Sequence, residues 1–191
     1  FSPAPTGAQR GRPSLLTHDE VLTLFHEFGH GLHHLLTKVN VGDVAGVNGV
    51  EWDAVELPSQ FMENWAWHPE GIALISRHVD TGETLPERML QSMLAAKNFQ
   101  SGMQTLRQLE FALFDLLIHA KNPAPDYPQL LALLDSVRAD LSIMPTASYN
   151  RFANGFSHIF AGGYAAGYYS YKWAELLSAD AFSKFEETSI F

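Results

Sequence analysis

Two histidines four residues apart are the part of this sequence most able to do chemistry. They stand in the run His26-Glu27-Phe28-Gly29-His30. On a helix, a spacing of four places both imidazoles on one face, within reach of a single metal ion. Glu27 follows the first histidine, where its carboxylate can take a proton from a water that such an ion activates. The pattern therefore predicts a zinc-dependent hydrolase site, and the alternative is a pair of ordinary helix histidines.

A third ligand is required, since open catalytic zinc sites use three protein ligands and keep one position for water. His33 lies on the same face as His26, but seven residues of helix span about 10 Å. That is too far for both to bind one ion at about 2 Å each. A carboxylate from another element should complete the set, and the candidates are Asp53, Glu56 and Glu63. Spacing alone does not choose among them.

The helix that carries the histidine pair has a clear start. Thr17 can cap it, and Glu20 three residues later completes a capping box. Apolar residues then recur at helical spacing as far as Leu36. We expect a helix from about His18 to Thr37.

The remaining pattern predicts a mostly α-helical fold. Glycines at 42, 46 and 49 indicate a loop or small hairpin near 38–52. Helices are predicted at about 53–66, 69–78, 86–97, 100–120 and 127–142, and at the end of a Gly- and Tyr-rich segment covering 159–188.

Composition excludes several classes of function. Net charge is −9, from 12 basic and 21 acidic residues, and no basic cluster exists, which argues against nucleic acid and anionic membranes. No apolar run approaches the roughly 20 residues that span a bilayer. Cysteine is absent, so thiolates cannot bind the metal. We expect a cytoplasmic protein.

Three blocks of the sequence resemble the thimet oligopeptidase and oligopeptidase A family of zinc peptidases, in particular its bacterial oligopeptidase A and dipeptidyl carboxypeptidase branch. They are the histidine pair, the stretch Glu56-Leu57-Pro58-Ser59-Gln60-Phe61-Met62-Glu63-Asn64-Trp65, and the segment from His158 to Tyr171. The resemblance implies the zincin-like helical catalytic core of a larger metallopeptidase. It also implies one Zn²⁺ per chain, held by His26, His30 and Glu56. Asp53 then becomes a candidate for orienting a ligand histidine, or an ordinary acid at a helix start.

The tyrosine-rich segment is the third block. Tyr164, Tyr168 and Tyr171 fall at i, i+4 and i+7, so they share one face if this stretch is helical. Spacing alone favours a packed core stripe. The resemblance instead implies that Tyr168 and Tyr171 donate to the oxyanion of the transition state and that Tyr164 contacts substrate. Tyr169 points elsewhere and is expected to be structural.

His158 and the glycines that follow it complete the predicted site. The resemblance implies that His158 helps to hold substrate or the intermediate, and the alternative is a structural histidine. Gly162 and Gly163 permit a mobile loop that adjusts to different peptides.

We therefore interpret residues 1–191 as the zinc peptidase catalytic core of a longer enzyme. It should hydrolyse short peptides, with Glu27 as general base, and its partners should be peptide substrates and the rest of its own chain, without nucleic acid or membrane. The alternative is a non-catalytic, zinc-stabilised helical or peptide-binding fragment.

Overall fold

The computed structural model describes residues 15–191, which confirm the mostly α-helical prediction. Within them lie α1 (His18–Leu35), α2 (Leu57–Trp67), α3 (Pro69–Ile75), α4 (Glu87–Ala96), α5 (Ser101–His119), α6 (Tyr127–Leu141), α7 (Phe152–Gly155), α8 (Ser157–Phe160) and α9 (Ser170–Thr188). These described residues contain no β-strand. Of the two alternatives for 38–52, the loop is therefore the correct one. It contains the short 3-10 helices Gly42–Val44, Gly46–Gly49 and Trp52–Ala54.

Helix α1 begins as the sequence predicts and ends slightly earlier. The Thr17 hydroxyl accepts the backbone N–H of Glu20, whose carboxylate accepts the backbone N–H of Thr17 at 2.7 Å. At the other end, the Thr37 hydroxyl accepts backbone N–H groups from Val39 and Gly46. These bonds turn the chain into the loop, so the helix stops at Leu35 instead of Thr37.

Helix α2 begins four residues later than predicted. Residues 52–54 form a 3-10 turn, and the α-helix starts at Leu57 with Pro58 in its first turn. Proline is tolerated there because its missing N–H would have no partner within the helix. Glu56 is consequently the residue that leads directly into α2.

The chain divides into two compact units, and the division falls within α9. The first comprises the described residues up to Lys97 together with Ala174–Phe191, and the second is Asn98–Trp173. In the first unit, α2 and α9 share an aromatic cluster with ring centroids 5.0–6.2 Å apart: Phe61, Trp65, Phe182 and Phe185. No described helix is both long and apolar enough to cross a membrane.

The second unit packs α5 and α6 around its own core. Phe114 is fully buried there, and Phe111 stacks on Phe152 with ring centroids 4.6 Å apart. Glu110, also buried, accepts hydrogen bonds from Arg107 and Arg138. This unit carries the tyrosine segment.

Candidate metal centre and tyrosine turn

Gly29 allows α1 and α2 to approach closely at the histidine pair. A Cβ atom at Gly29 would lie 2.5 Å from the Pro58 carbonyl oxygen and 2.5 Å from the Ser59 Cα. Both of these atoms belong to the backbone of α2, so the clash could not be relieved by the rotation of a side chain. The glycine between the two histidines therefore sets how near the start of α2 comes to them.

This close approach brings a buried carboxylate to both imidazoles. Nε2 of His26 and Nε2 of His30 each lie 3.2 Å from the same Glu56 carboxylate oxygen, and Glu56 is only 2% exposed. Within the described residues this is the one group able to hold a metal ion, and its ligand atoms lie within 4.8 Å of one another. Of the three acids that spacing left open, Glu56 is the one that meets the pair.

The separations fit a zinc ion. Two ligands at about 2.0–2.1 Å from a tetrahedral zinc lie about 3.3 Å apart. The two nitrogen–oxygen separations of 3.2 Å match this value. Two imidazoles and one carboxylate are also a donor set that catalytic zinc uses, with a fourth position left for water.

Two neighbours hold these ligands in place. Nδ1 of His26 lies 2.7 Å from a carboxylate oxygen of Glu63, so Nε2 is the ring nitrogen that faces Glu56. The Ser59 hydroxyl, which is fully buried, lies 2.8 Å from the Glu56 backbone carbonyl and 3.0 Å from its carboxylate. Both partners lie on α2, and Glu56 stands directly before that helix.

The acids around His26 change its protonation. Burial lowers the pKa of His26, but hydrogen bonds and charges from Glu56 and Glu63 outweigh that effect and raise the pKa to about 9. Without a bound metal ion, the His26 imidazole is therefore protonated and positively charged at neutral pH. A metal must displace this proton when it binds, because only a neutral imidazole is a ligand.

The other residues predicted near the metal are placed as follows. Glu27 is exposed, on the turn of α1 between the two ligand histidines. Asp53 is half-buried in the 3-10 helix before α2, and its role beside a ligand stays a prediction. His33 is half-buried, and its Nδ1 has no hydrogen-bond partner.

The condition for a shared helical face is not met for two of the three tyrosines. Helix α9 begins only at Ser170, so Tyr164 and Tyr168 lie in the turn before it. This turn covers residues 161–169 and is called the tyrosine turn below. The turn includes Gly163 at φ 85° and Ala166 at φ 55°, and such left-handed residues interrupt an α-helix. The turn nevertheless gathers the rings, since Tyr171 lies 5.0 Å from Tyr164 and 5.1 Å from Tyr168 between ring centroids.

His158 lies beside this cluster and is exposed. Its ring centroid is 5.7 Å from that of Tyr168, 6.1 Å from that of Tyr171 and 6.2 Å from that of Tyr164. Gly162 and Gly163 follow it in the exposed part of the turn. A Cβ at Gly162 would approach the His158 carbonyl oxygen to 2.9 Å, so this glycine lets the chain fold back over His158. His158 and the three tyrosines thus form one group around the turn.

Tyr168 is the most enclosed of the three tyrosines. It is 8% exposed, its hydroxyl donates to Gln108 at 3.1 Å, and burial raises the pKa of Tyr168 to about 12. To donate to an oxyanion it would have to leave Gln108. Tyr171 is half-buried and stacks on Tyr164. The roles of both tyrosines stay predictions.

Sequence reasoning missed the contacts that cross between elements. Glu63 was a candidate ligand, and the structure places it against Nδ1 of His26 instead. A carboxylate seven residues after Glu56 on a helix falls on the same face, which is a signal that could have identified it. Gln108 and Ser59 left no such signal, because their partners depend on how the chain packs.

The chain matches known peptidases over nearly its whole length. The model of peptidase family M3 matches residues 4–191. Oligopeptidase A of Escherichia coli is 59% identical over 95% of this chain and 27% of the relative, and the organellar oligopeptidase A of Arabidopsis thaliana is 54% identical over 94% and 23%. Dipeptidyl carboxypeptidase of Escherichia coli is 39% identical over 93% and 26%. The chain spans about a quarter of the length of these relatives. It belongs to peptidase family M3.

Proposed function

We propose that the full-length protein carrying this sequence is a zinc-dependent oligopeptidase. The observation that carries the proposal is the shared contact of His26 and His30 with one oxygen of the buried Glu56 carboxylate. This arrangement supports three ligands and an open fourth position, as a catalytic zinc requires. A structural zinc site prefers four closed protein ligands, which argues against the zinc-stabilised, non-catalytic alternative.

The proposed ligands bind the metal, and the proposed base transfers protons. His26, His30 and Glu56 would hold Zn²⁺, which when bound polarises the scissile carbonyl and makes water more acidic. Glu27 takes a proton from the attacking water and later gives it to the leaving amine. Its exposed position on α1, next to a ligand, leaves it accessible to water and substrate.

The tyrosine turn is proposed to serve the same reaction. A phenol hydroxyl donates to a developing oxyanion without carrying a charge, and such donors stabilise the transition state. Tyr171 and Tyr168 are proposed as these donors, with His158 and Tyr164 holding the peptide. Gly162 and Gly163 let this segment adjust to peptides of different sequence.

The substrate class follows from the relatives. Two of them bear the name oligopeptidase A, and the third is named a dipeptidyl carboxypeptidase. We propose short peptides as substrates, cleaved internally or from the carboxyl end.

The test is hydrolysis of a quenched fluorescent peptide by the full-length protein, with and without a zinc chelator. The wild type should cleave, chelation should stop cleavage, and added zinc should restore it. Glu27→Gln should abolish cleavage and keep one zinc per chain. Full activity of that variant would remove Glu27 as the base, and stoichiometric zinc without chelator-sensitive cleavage in the wild type would favour the non-catalytic alternative.

A further inference from the structure

A second buried carboxylate lies in the unit that carries the tyrosines. Asp115 on α5 is fully buried, with 0% of its surface exposed. One of its carboxylate oxygens accepts the backbone N–H of Ala166 at 2.9 Å, and the other accepts the backbone N–H of Tyr168 at 2.9 Å. A single side chain therefore holds two amides of the tyrosine turn from a helix about fifty residues away in sequence.

A third donor comes from the same helix as the carboxylate. Nδ1 of His119 lies 2.9 Å from the Asp115 carboxylate and 2.8 Å from its backbone carbonyl. Both atoms are acceptors, so Nδ1 carries the proton and donates it. With three donors around it, the carboxylate has a fixed orientation, as buried polar groups require.

The turn needs this support. Ala166 has φ 55°, a left-handed conformation that residues other than glycine rarely adopt. Such conformations persist where the surroundings hold them, and they cluster at functional sites. The N–H of Ala166 is one of the two that Asp115 accepts, so the carboxylate acts on the strained residue itself. The turn covers residues 161–169 and leads into α9, which carries Tyr171.

We propose that Asp115 is a positioning residue for peptide hydrolysis, which fixes the turn so that Tyr168 and Tyr171 are presented in one orientation. This inference rests on the proposed function, because the orientation matters only if these tyrosines contact the reacting peptide. Asp115 does not touch substrate. It acts through two backbone amides, and misplacement of a contact by about 1 Å can cost roughly 100-fold in rate.

The test is a double-mutant cycle in the full-length protein between Asp115→Asn and Tyr171→Phe, with kcat, KM, zinc content and thermal unfolding measured for each. The asparagine has the same shape but replaces an acceptor with a donor, so one amide of the turn loses its partner. We expect Asp115→Asn to lower kcat about 10- to 100-fold at unchanged zinc content. In the Tyr171→Phe background the same change should lower kcat by a smaller factor, because coupled residues are not additive and only the effect through Tyr168 remains.

Glu110→Gln is the matched control. Glu110 is an equally buried carboxylate on α5, 3% exposed, but its partners are Arg107 and Arg138. It should lower the thermal stability and change kcat by the same small factor in both backgrounds. A wild-type kcat in Asp115→Asn, or an equal loss in both backgrounds, would overturn the inference.

A milder variant covers the case in which Asp115→Asn does not fold. His119→Gln disturbs one donor to Asp115 at a side chain that is 31% exposed. We expect a smaller loss of kcat that is also reduced in the Tyr171→Phe background; no loss, or equal losses, would overturn the inference. An inactive wild type would overturn the proposed function together with this inference, whereas an active wild type with additive losses would overturn the inference alone.

Discussion

The metal centre and the tyrosine turn are built in opposite ways. At the candidate metal centre, two of the proposed ligands come from one helix turn of α1. The third stands just before α2, which packs on α1. At the tyrosine turn, the positions depend on a carboxylate of α5 that binds backbone amides about fifty residues further along. Local helix geometry therefore sets most of the first region, and a distant contact holds the second. Substitutions at the metal centre should therefore change metal binding, whereas substitutions at the tyrosine turn should not.

The largest effect is expected at the metal ligand itself. Glu56→Gln removes the carboxylate that both histidines face, so zinc affinity should fall by more than the roughly 10- to 100-fold that loss of an outer partner typically costs. Competition with a chromogenic chelator measures that affinity. Glu63→Gln is the control, since it leaves all three proposed ligands and removes only the partner of His26 Nδ1. Equal losses in the two variants would refute the distinction between ligand and support.

The next prediction concerns Tyr171, which follows the tyrosine turn. Removing the Tyr171 hydroxyl should raise the barrier of peptide cleavage by about 2.7–4 kcal/mol, the usual cost of one oxyanion donor. Tyr171→Phe should therefore lose about 100- to 1,000-fold in kcat while zinc content stays at one per chain. Tyr169→Phe, at a neighbouring exposed tyrosine, should change kcat little. Zinc lost from Tyr171→Phe, or matching effects of both changes, would contradict the separation of the regions.

Gly29→Ala should destabilise the contact on which the metal centre depends. The added Cβ meets backbone atoms of α2 at 2.5 Å, and overpacking of this kind costs about 1–3 kcal/mol. Denaturant unfolding and chelator competition should show lower stability and weaker zinc binding together. At Gly31, two residues along the same helix, a Cβ meets nothing within 4 Å. Gly31→Ala should stabilise the helix by about 0.5–1 kcal/mol. If both alanine variants changed the free energy of unfolding in the same direction, the close approach at Gly29 would be contradicted.

The smallest effect is a dependence of stability on pH in the metal-free protein. The pKa of His26 is raised from 6.5 to about 9, so between these values the folded protein binds more protons than the unfolded chain. The contribution of the His26 proton to the free energy of unfolding should be fully present below pH 6.5 and should be lost as pH rises through 9. With zinc bound the imidazole is neutral, so affinity for zinc should instead rise with pH over this interval. Denaturation in chelator at several pH values measures the first trend, and stability that rises towards pH 9 would contradict it.

The sequence carried more information about the metal centre than about the turn, for a physical reason. A capped helix with two histidines four residues apart fixes their common face before any packing occurs. Spacing could not choose Glu56 over Asp53 and Glu63, because that choice depends on where α2 begins and on the contact at Gly29. The family resemblance supplied Glu56, and the structure brings it to the pair.

The tyrosine turn shows what local pattern cannot supply. The spacing of Tyr164, Tyr168 and Tyr171 fits a helical face, yet α9 starts at Ser170 and the rings gather around a turn. That arrangement depends on Asp115, whose hydrogen bonds join residues about fifty positions apart. No short-range periodicity encodes such a contact.

The most direct test is a crystal structure of the full-length protein grown with zinc, read by anomalous scattering at the zinc edge. We expect one peak about 2.0–2.2 Å from Nε2 of both histidines and from a Glu56 carboxylate oxygen, with solvent in the fourth position. A zinc bound elsewhere, or a Glu56 carboxylate outside bonding distance of the ion in a folded molecule, would contradict it.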